Sequence, residues 1–272
     1  MKDLPLSPPL RISLLGSGWL GLPLAKHLLT QGHSIFISSR NPTKIPILRA
    51  IGAEACLLDL ADPAPLPIAF FEADVLIISI TSKSMEEHQR VASLLTHASS
   101  IRQLIYTSST SVYPPEAEQV DETSPIASSH PLRLIESLYQ GLPQACCILR
   151  LAGLVGPDRH PGRFFRKRPQ AALARVPSNL VHLHDLIPVF SWLMTHMPVN
   201  DTFNIAADEH PPKFDFYSAA FEEFYQQQAE FVLVPPDQAR SRKRVSNAKI
   251  KAASGLNFLL SPYYPYASDS VM

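Results

Sequence analysis

Two stretches of this 272-residue chain place side chains and backbone where they could do chemistry. The first is "GSGWLG", in which Gly16, Gly18 and Gly21 spell G-x-G-x-x-G. In such a pattern Gly16 makes a tight turn, Gly18 lets backbone approach a pyrophosphate, and Gly21 lets a helix pack closely on a strand. Ser17, Trp19 and Leu20 complete the turn. The helix opening there offers free N–H groups and a partial positive charge to phosphates. The implied chemistry is dinucleotide binding. A carboxylate at the end of the following strand would hold the ribose 2′-hydroxyl of NAD, whereas a 2′-phosphate prefers arginine. That strand ends "ISSRNP", with no acid. Ser38, Ser39 and Arg40 suit a phosphate, so the expectation tilts to NADP, with NAD as the other cofactor the turn accommodates. Asp59 stands where a carboxylate could meet an adenine. Ser79, Ile80 and Thr81 follow an apolar run and fall on the same ligand edge; Asp62 reads as a turn or cap residue.

The second stretch, "IYTSSTSVY", carries Thr107, Ser108 and Ser109 at the end of an apolar run, with Tyr113 closing it. Hydroxyls clustered at a strand end face water or a ligand. Downstream, "SSHPLRL" supplies His130 and Arg133; His130 could move a proton near neutral pH or cap the helix that starts at Pro131. "GPDRHPGRFFRKRP" concentrates cations in a neutral chain. Arg159, His160 and Arg163 are the candidates there for a phosphate or carboxylate, and Arg166, Lys167 and Arg168 read as surface charges. In "NLVHLHDL", Asn179, His182 and Asp185 invite a triad with Ser109, but no nucleophile elbow surrounds that serine. His182 and His184 alternate along a strand and point to opposite faces, so no metal site is expected.

Elements must position these residues. Apolar runs at 10–15, 34–38, 54–58, 74–80, 102–107 and 145–151 alternate with helical patterns at 20–31, 43–50, 84–97 and 132–139. The runs are continuous rather than alternating, as in strands buried on both faces of a parallel sheet. Strand–helix alternation of this kind builds a doubly wound α/β fold. The second half is less regular, with strand-like 180–184, 202–206 and 230–234, helices at 186–194 and 214–228, and an aromatic C-terminal tail.

Composition narrows the function classes. Net charge is zero, so nucleic acid is a poor partner. No apolar run reaches the roughly 18 residues of a membrane span. The apolar N-terminal stretch is broken by glycines and Pro23 and continues into a helix, unlike a targeting signal. Cys56, Cys146 and Cys147 have neither metal nor disulfide spacing and fit buried thiols in a reducing cytoplasm.

Four motifs, "GSGWLG", "YTSSTSVY", "LRLAGLVGPDRHPG" and "NLVHLHDL", occur in an order and spacing that resembles the short-chain dehydrogenase/reductase superfamily. The likeness is to its atypical or extended branch of NAD(P)-dependent epimerase/dehydratase-like proteins. The resemblance implies a serine that hydrogen-bonds the reacting oxygen, here Ser109, and an acid/base tyrosine in Y-x-x-x-K that opens the next helix. It also implies that Asn179 lies near the substrate. Taking Glu136 as the glutamate that follows the family's lysine puts Ser128 and Leu132 at the tyrosine and lysine positions. No tyrosine lies between Tyr113 and Tyr139, and no lysine between Lys83 and Lys167, so the pair is absent. Tyr113 is not the family's acid/base tyrosine.

The resulting expectation is a doubly wound, mostly parallel Rossmann sheet with a small α+β substrate-binding cap. The dinucleotide domain would span 1–155, with the chain returning to it at about 178–207, and the cap would use 156–177 and 208–272. The cofactor contacts fall on residues 16–21, Ser39, Arg40, Asp59, 79–81, Thr107 and Ser108. Ser109, Tyr113, Arg159, His160, Arg163 and Asn179 would meet a small, anionic, nucleotide-linked or simpler substrate, with Ser109 and His130 as the catalytic candidates. The activity would be oxidoreduction or epimerisation at a hydroxyl or carbonyl. The alternative is a non-catalytic NADP(H) sensor, which the missing pair supports. A cytoplasmic monomer or homodimer completes the expectation.

Overall fold

In the computed structural model, which describes residues 8–168 and 170–258, the apolar runs become the strands of one sheet. The first half alternates β1 (Arg11–Leu15), α1 (Gly21–Thr30), β2 (Ser34–Ser39), α2 (Ile45–Ala50), β3 (Glu54–Leu57), β4 (Val75–Ile78), α3 (Met85–Leu95) and β5 (Gln103–Ser109). Then come β6 (Gln119–Val120), α4 (Pro131–Gln140), β7 (Ala145–Leu151), β8 (Gly153–Val155), β9 (Ala172–Leu173) and β10 (Leu180–His182). The chain continues through α5 (Leu183–His196), β11 (Thr202–Ile205), α6 (Lys213–Tyr225), β12 (Val232–Leu233), β13 (Arg244–Val245) and α7 (Ala248–Ser254). The aromatic tail expected at the C-terminus lies outside the described residues.

Seven strands form the central sheet in the order β11-β7-β5-β4-β1-β2-β3. β1 runs parallel to both neighbours, Ile12 facing Ile35 of β2 and Val75 of β4. All four residues of β4 are buried, as are the last four of β1, which is why their sequences are apolar without alternation. α1 lays Leu24, Ala25 and Leu28 into the core. The strand order reverses between β1 and β4, which is where doubly wound sheets open a crevice at the strand carboxyl ends.

By contacts the chain divides into two units. The first comprises 1–108, 128–149 and 190–202; the second comprises 109–127, 150–189 and 203–272. Residues 109–127, expected in the dinucleotide domain, group with the second unit because β6 pairs in parallel with β13. The expected loop after Tyr113 therefore contains a short strand. In the second unit β8 pairs with β10, and Val155 and Leu180 pack with Phe216 of α6.

Cys146 and Cys147 are buried and Cys56 half-buried, all as free thiols. Burial pushes Cys56 up to about 11 and Cys146 up to about 12, which suppresses the reactive thiolate. Among the described residues no helix is long and apolar enough to cross a membrane, and no cluster of His, Cys, Asp or Glu could hold a metal ion.

Candidate functional site

The loop between β1 and α1 is shaped by its glycines. Gly16 has φ +110°, and a Cβ there would lie 2.4 Å from the Ser79 carbonyl oxygen, so the loop runs hard against the end of β4. A Cβ on Gly21 would lie 2.0 Å from the Gly16 carbonyl oxygen, which fixes how closely α1 starts beside the turn. Gly18 differs, because a Cβ there would meet nothing within 4 Å. Two glycines are required by the protein itself, and the third faces open space. No side chain caps the start of α1; the Leu22 N–H donates to the Gly18 carbonyl oxygen at 3.2 Å, and Pro23 brings no N–H.

Around that turn opens a cleft of about 440 Å³. It is lined by Gly16, Ser17 and Gly18, by Ser38 to Asn41 and Lys44 after β2, by Leu58 to Leu60 after β3, and by Ser79 to Ser82 after β4. Glu87 of α3 closes one side. The structure thus brings Gly16, Ser17, Gly18, Ser39, Arg40, Asp59, Ser79, Ile80 and Thr81 together in one wall. Trp19, Leu20 and Gly21 continue from the wall into α1, and Leu20 is buried.

Side chains in the cleft divide into braces and open groups. The Gly16 N–H donates to Ser38 Oγ at 3.0 Å, so Ser38 supports the turn from β2. Ser39 Oγ accepts from the Asn41 N–H at 3.1 Å and closes a local turn. Asp59 Oδ1 accepts from the Ala61 N–H at 3.1 Å, and Asp62 likewise turns the chain through the Ala64 N–H at 2.9 Å. Lys44 Nζ donates to the Ser17 carbonyl oxygen at 3.2 Å, tying the segment after β2 to the glycine loop. Arg40 is exposed and makes no hydrogen bond or ion pair among the described residues. Lys44 was not anticipated from the sequence. Its signal is a second cation four residues after Arg40, on the short helical segment that turns back over the cleft.

The donor set fits a dinucleotide phosphate backbone: a glycine with open space, an uncapped helix start, and two cations at the end of β2. Among the described residues, Asp59 and Glu87 are the carboxylates lining the cleft, and neither belongs to the β2 segment.

The hydroxyls of 107–109 take different tasks. Thr107 Oγ1 donates to the Ile78 carbonyl oxygen at 3.1 Å, joining β5 to β4. Ser108 is buried and donates to Glu136 Oε1 of α4 at 2.7 Å. Ser109 ends β5, and its Oγ accepts from the Ser111 N–H at 3.1 Å. His130 is the N-cap of α4, its Nδ1 accepting from the Leu132 N–H at 3.3 Å. That bond assigns the proton of the neutral ring to Nε2. Leu132, at the family's lysine position, is buried, and Ser128 at the tyrosine position is exposed. Tyr139 sits at the far end of α4, its hydroxyl 2.7 Å from His88 Nδ1, and burial holds its proton far above the ordinary range.

In the second unit the expected substrate residues are tied into the protein. Tyr113 is buried, donating from its hydroxyl to Asn204 Oδ1 at 2.7 Å and accepting from Arg150 Nη1 at 2.8 Å. Asn179 grips β13 from both ends of its amide, donating to the Lys243 carbonyl oxygen and accepting from the Val245 N–H, each at 2.8 Å. Arg159 Nε donates to the Leu154 carbonyl oxygen, and Arg163 to that of Asp158. Their guanidinium groups lie over Phe164 and Phe224. His160 is buried, caps the following turn through the Gly162 N–H, and reaches Glu223 of α6 at 3.7 Å. Burial, then the nearby Arg163 charge, lowers its pKa against the raising effect of Glu223.

A doubly wound sheet with a glycine turn at its switch point, and "YTSSTSVY" closing β5, defines a Rossmann-like α/β fold. The chain belongs to the family of Protein YeeZ of Escherichia coli (strain K12). It is 32% identical to YeeZ over 281 residues, covering 96% of this chain and 98% of YeeZ. No family model matches the chain. A functionally unknown conserved protein from Silicibacter pomeroyi has a similar structure, with TM-score 0.74 and 25% identity over 93% of this chain and 95% of its own. The Bordetella bronchiseptica enzyme WbmG, solved with NAD, has TM-score 0.74 at 17% identity, covering 95% and 92% of the two chains. UDP-glucuronic acid 4-epimerase from Bacillus cereus, also solved with NAD, has TM-score 0.73 at 14% identity, covering 93% and 94%. The last two likenesses concern the fold.

Proposed function

We propose that the protein binds NADP(H) in the cleft at the β1–α1 turn and serves as an oxidoreductase or epimerase-like enzyme acting on a hydroxyl or carbonyl of a small anionic substrate. The observation that carries this reading is the pairing of open space over Gly18 with Arg40 and Lys44 at the end of β2. Gly18 and the start of α1 hold the pyrophosphate through backbone N–H groups. Arg40, with no partner of its own among the described residues, meets the 2′-phosphate, and Lys44 adds charge beside it while keeping the glycine loop in place. WbmG and the Bacillus cereus epimerase, each solved with NAD, support a nicotinamide dinucleotide as the ligand class. Bound there, such a cofactor supplies hydride exchange. Ser109 would polarise the reacting oxygen, and His130 could donate the proton from Nε2.

A second reading, a non-catalytic NADP(H) sensor, is favoured by a specific observation. Leu132 fills the expected lysine position with a buried apolar side chain, so no lysine stands at that position to lower the pKa of an acid/base tyrosine. Titration with NADPH and NADH, followed by reduction assays on sugar-nucleotide and simple carbonyl panels, separates the readings. Binding with turnover is expected for the enzyme; tight binding without hydride transfer across the panels transfers the case to the sensor. Absence of binding by either cofactor sinks both.

A further inference from the structure

The cleft wall after β3 is tied to α3 by one side chain, Arg90. Leu58, Asp59 and Leu60 form that wall, and the chain then runs exposed from Ala61 to Pro65. Turns inside the stretch are local. Asp59 Oδ1 accepts from the Ala61 N–H, the Asp59 carbonyl oxygen from the Asp62 N–H at 3.3 Å, and Asp62 Oδ1 from the Ala64 N–H. The half-buried Arg90 reaches across from α3: its Nη1 donates to the carbonyl oxygens of Leu60 and Asp62, and its Nη2 to that of Ala64 at 2.6 Å. Among the described residues, no other hydrogen bond reaches 61–65 from outside the stretch 59–65.

Arginine suits this task because its guanidinium is a rigid planar fork with five donors, whereas a lysine ammonium is a point charge on a flexible stem. The three carbonyls belong to every second residue, so one fork fixes the course of the whole loop. The helix that carries it is a firm base. Val91, Ala92 and Leu95 are buried in the core. His88, also buried, has Nδ1 2.7 Å from the Tyr139 hydroxyl and Nε2 3.1 Å from the carbonyl oxygen of Ser82, which lines the cleft after β4. One helix thus braces both loops, and its Glu87 stands in the cleft itself.

Connectivity says which end of the ligand meets this wall, on the reading that the cleft takes NADP(H). With the pyrophosphate at the β1–α1 turn and the 2′-phosphate at Arg40, the adenosine ribose lies at the end of β2. The base attached to that ribose extends to the next strand end in the sheet, that of β3. There Leu58, Asp59 and Leu60 offer a purine two apolar side chains and a carboxylate. Such a wall discriminates between bases when supporting groups hold it in one position.

We propose that Arg90 is a positioning residue for the purine of the dinucleotide, fixing through three backbone carbonyls the wall against which the base rests. This deepens the NADP(H) reading and rests on it.

The test titrates the full chain calorimetrically with NADP and with its ethenoadenine analogue, whose base carries an extra fused ring. The two probes share phosphates, riboses and nicotinamide, so their affinity ratio reports the purine wall. Wild type is expected to prefer NADP by about tenfold. Arg90→Met is expected to bind NADP about tenfold more weakly and to take the two bases within about twofold of each other. A general loss of structure lowers both affinities together and leaves the ratio unchanged, and that result overturns the proposal. It is overturned equally by wild-type affinities in Arg90→Met, or by a wild type that does not distinguish the bases. Should Arg90→Met fail to fold, Arg90→Lys, which keeps the charge and loses the fork, carries the same comparison. If wild type binds neither NADP nor NADPH, the cofactor reading fails and this inference with it. Wild-type binding with an unchanged ratio in the variants defeats this inference alone.

Discussion

The cleft at the β1–α1 turn and the basic loop at 156–168 are the two regions richest in phosphate-binding signals, and they treat those signals oppositely. In the cleft, the bracing around Arg40 is done by its neighbours: Ser38 Oγ receives the Gly16 N–H, Ser39 closes its own turn and Lys44 holds the Ser17 carbonyl oxygen. Arg40 and the space over Gly18 are left open. In the loop, the long side chains themselves do the bracing, Arg159 and Arg163 on backbone carbonyls and His160 on α6. Arg40 is available to a ligand because its neighbours do the structural work, whereas Arg159 and Arg163 do that work themselves.

The strongest way to break this comparison is to disturb a glycine the fold requires. Gly21→Val drives a side chain into the Gly16 carbonyl oxygen and should cost about 3 kcal/mol or more of stability, together with loss of dinucleotide binding. Gly18→Ala is its counterpart. Its Cβ enters open space, so the melting temperature should hold while cofactor affinity falls. Equal losses of stability in the two variants would contradict the division between structural and ligand-facing glycines.

The next effect is pH dependence. Burial, then the charge of His184, lowers His182 to about 4 against an ordinary 6.5. Folding therefore favours the neutral ring, and its contribution is complete above pH 6.5 and is lost as pH falls towards 4. The size is about 3 kcal/mol. Urea midpoints across that window should fall with pH, and His182→Gln should flatten the curve.

Smaller again is Arg40→Ala, expected to weaken NADPH about tenfold and leave NADH within twofold, as measured by fluorescence titration. An unchanged preference would remove Arg40 from the 2′-phosphate assignment. Smallest is Arg163→Ala, whose exposed guanidinium contacts its own loop and the ring of Phe224 in α6. Stability should change by about 0.5 kcal/mol, with cofactor affinity unaltered, in denaturant melts and titrations.

Most of the fold was legible because β1, β2, β4, β5 and β7 are buried on both faces and have to be continuously apolar. G-x-G-x-x-G was legible for a local reason, since two of its glycines answer to backbone contacts only a few ångströms away. Of the short pairs β6–β13 and β9–β12, β12 falls within the strand expected at 230–234; the other three were not legible, because two-residue strands leave no periodic trace and their partners are far apart in sequence. The functional side chains divide the same way. Arg40 follows a strand end and could be read. Asn179, Tyr113 and His160 were marked as polar residues in promising motifs, but sequence cannot reveal that Val245, Arg150 or Glu223 would occupy them. Arg90 carried no signal at all, because its acceptors are backbone carbonyls of a loop 26 to 30 residues earlier.

The central claim is that the cleft over Gly18 takes NADP(H), with Arg40 and Lys44 reading the 2′-phosphate. Parallel titrations of the full chain with NADPH and NADH test it most directly. The account predicts saturable binding of both, with NADPH tighter by about tenfold and the advantage abolished in Arg40→Ala. Binding of neither dinucleotide, or tighter binding of NADH, contradicts it.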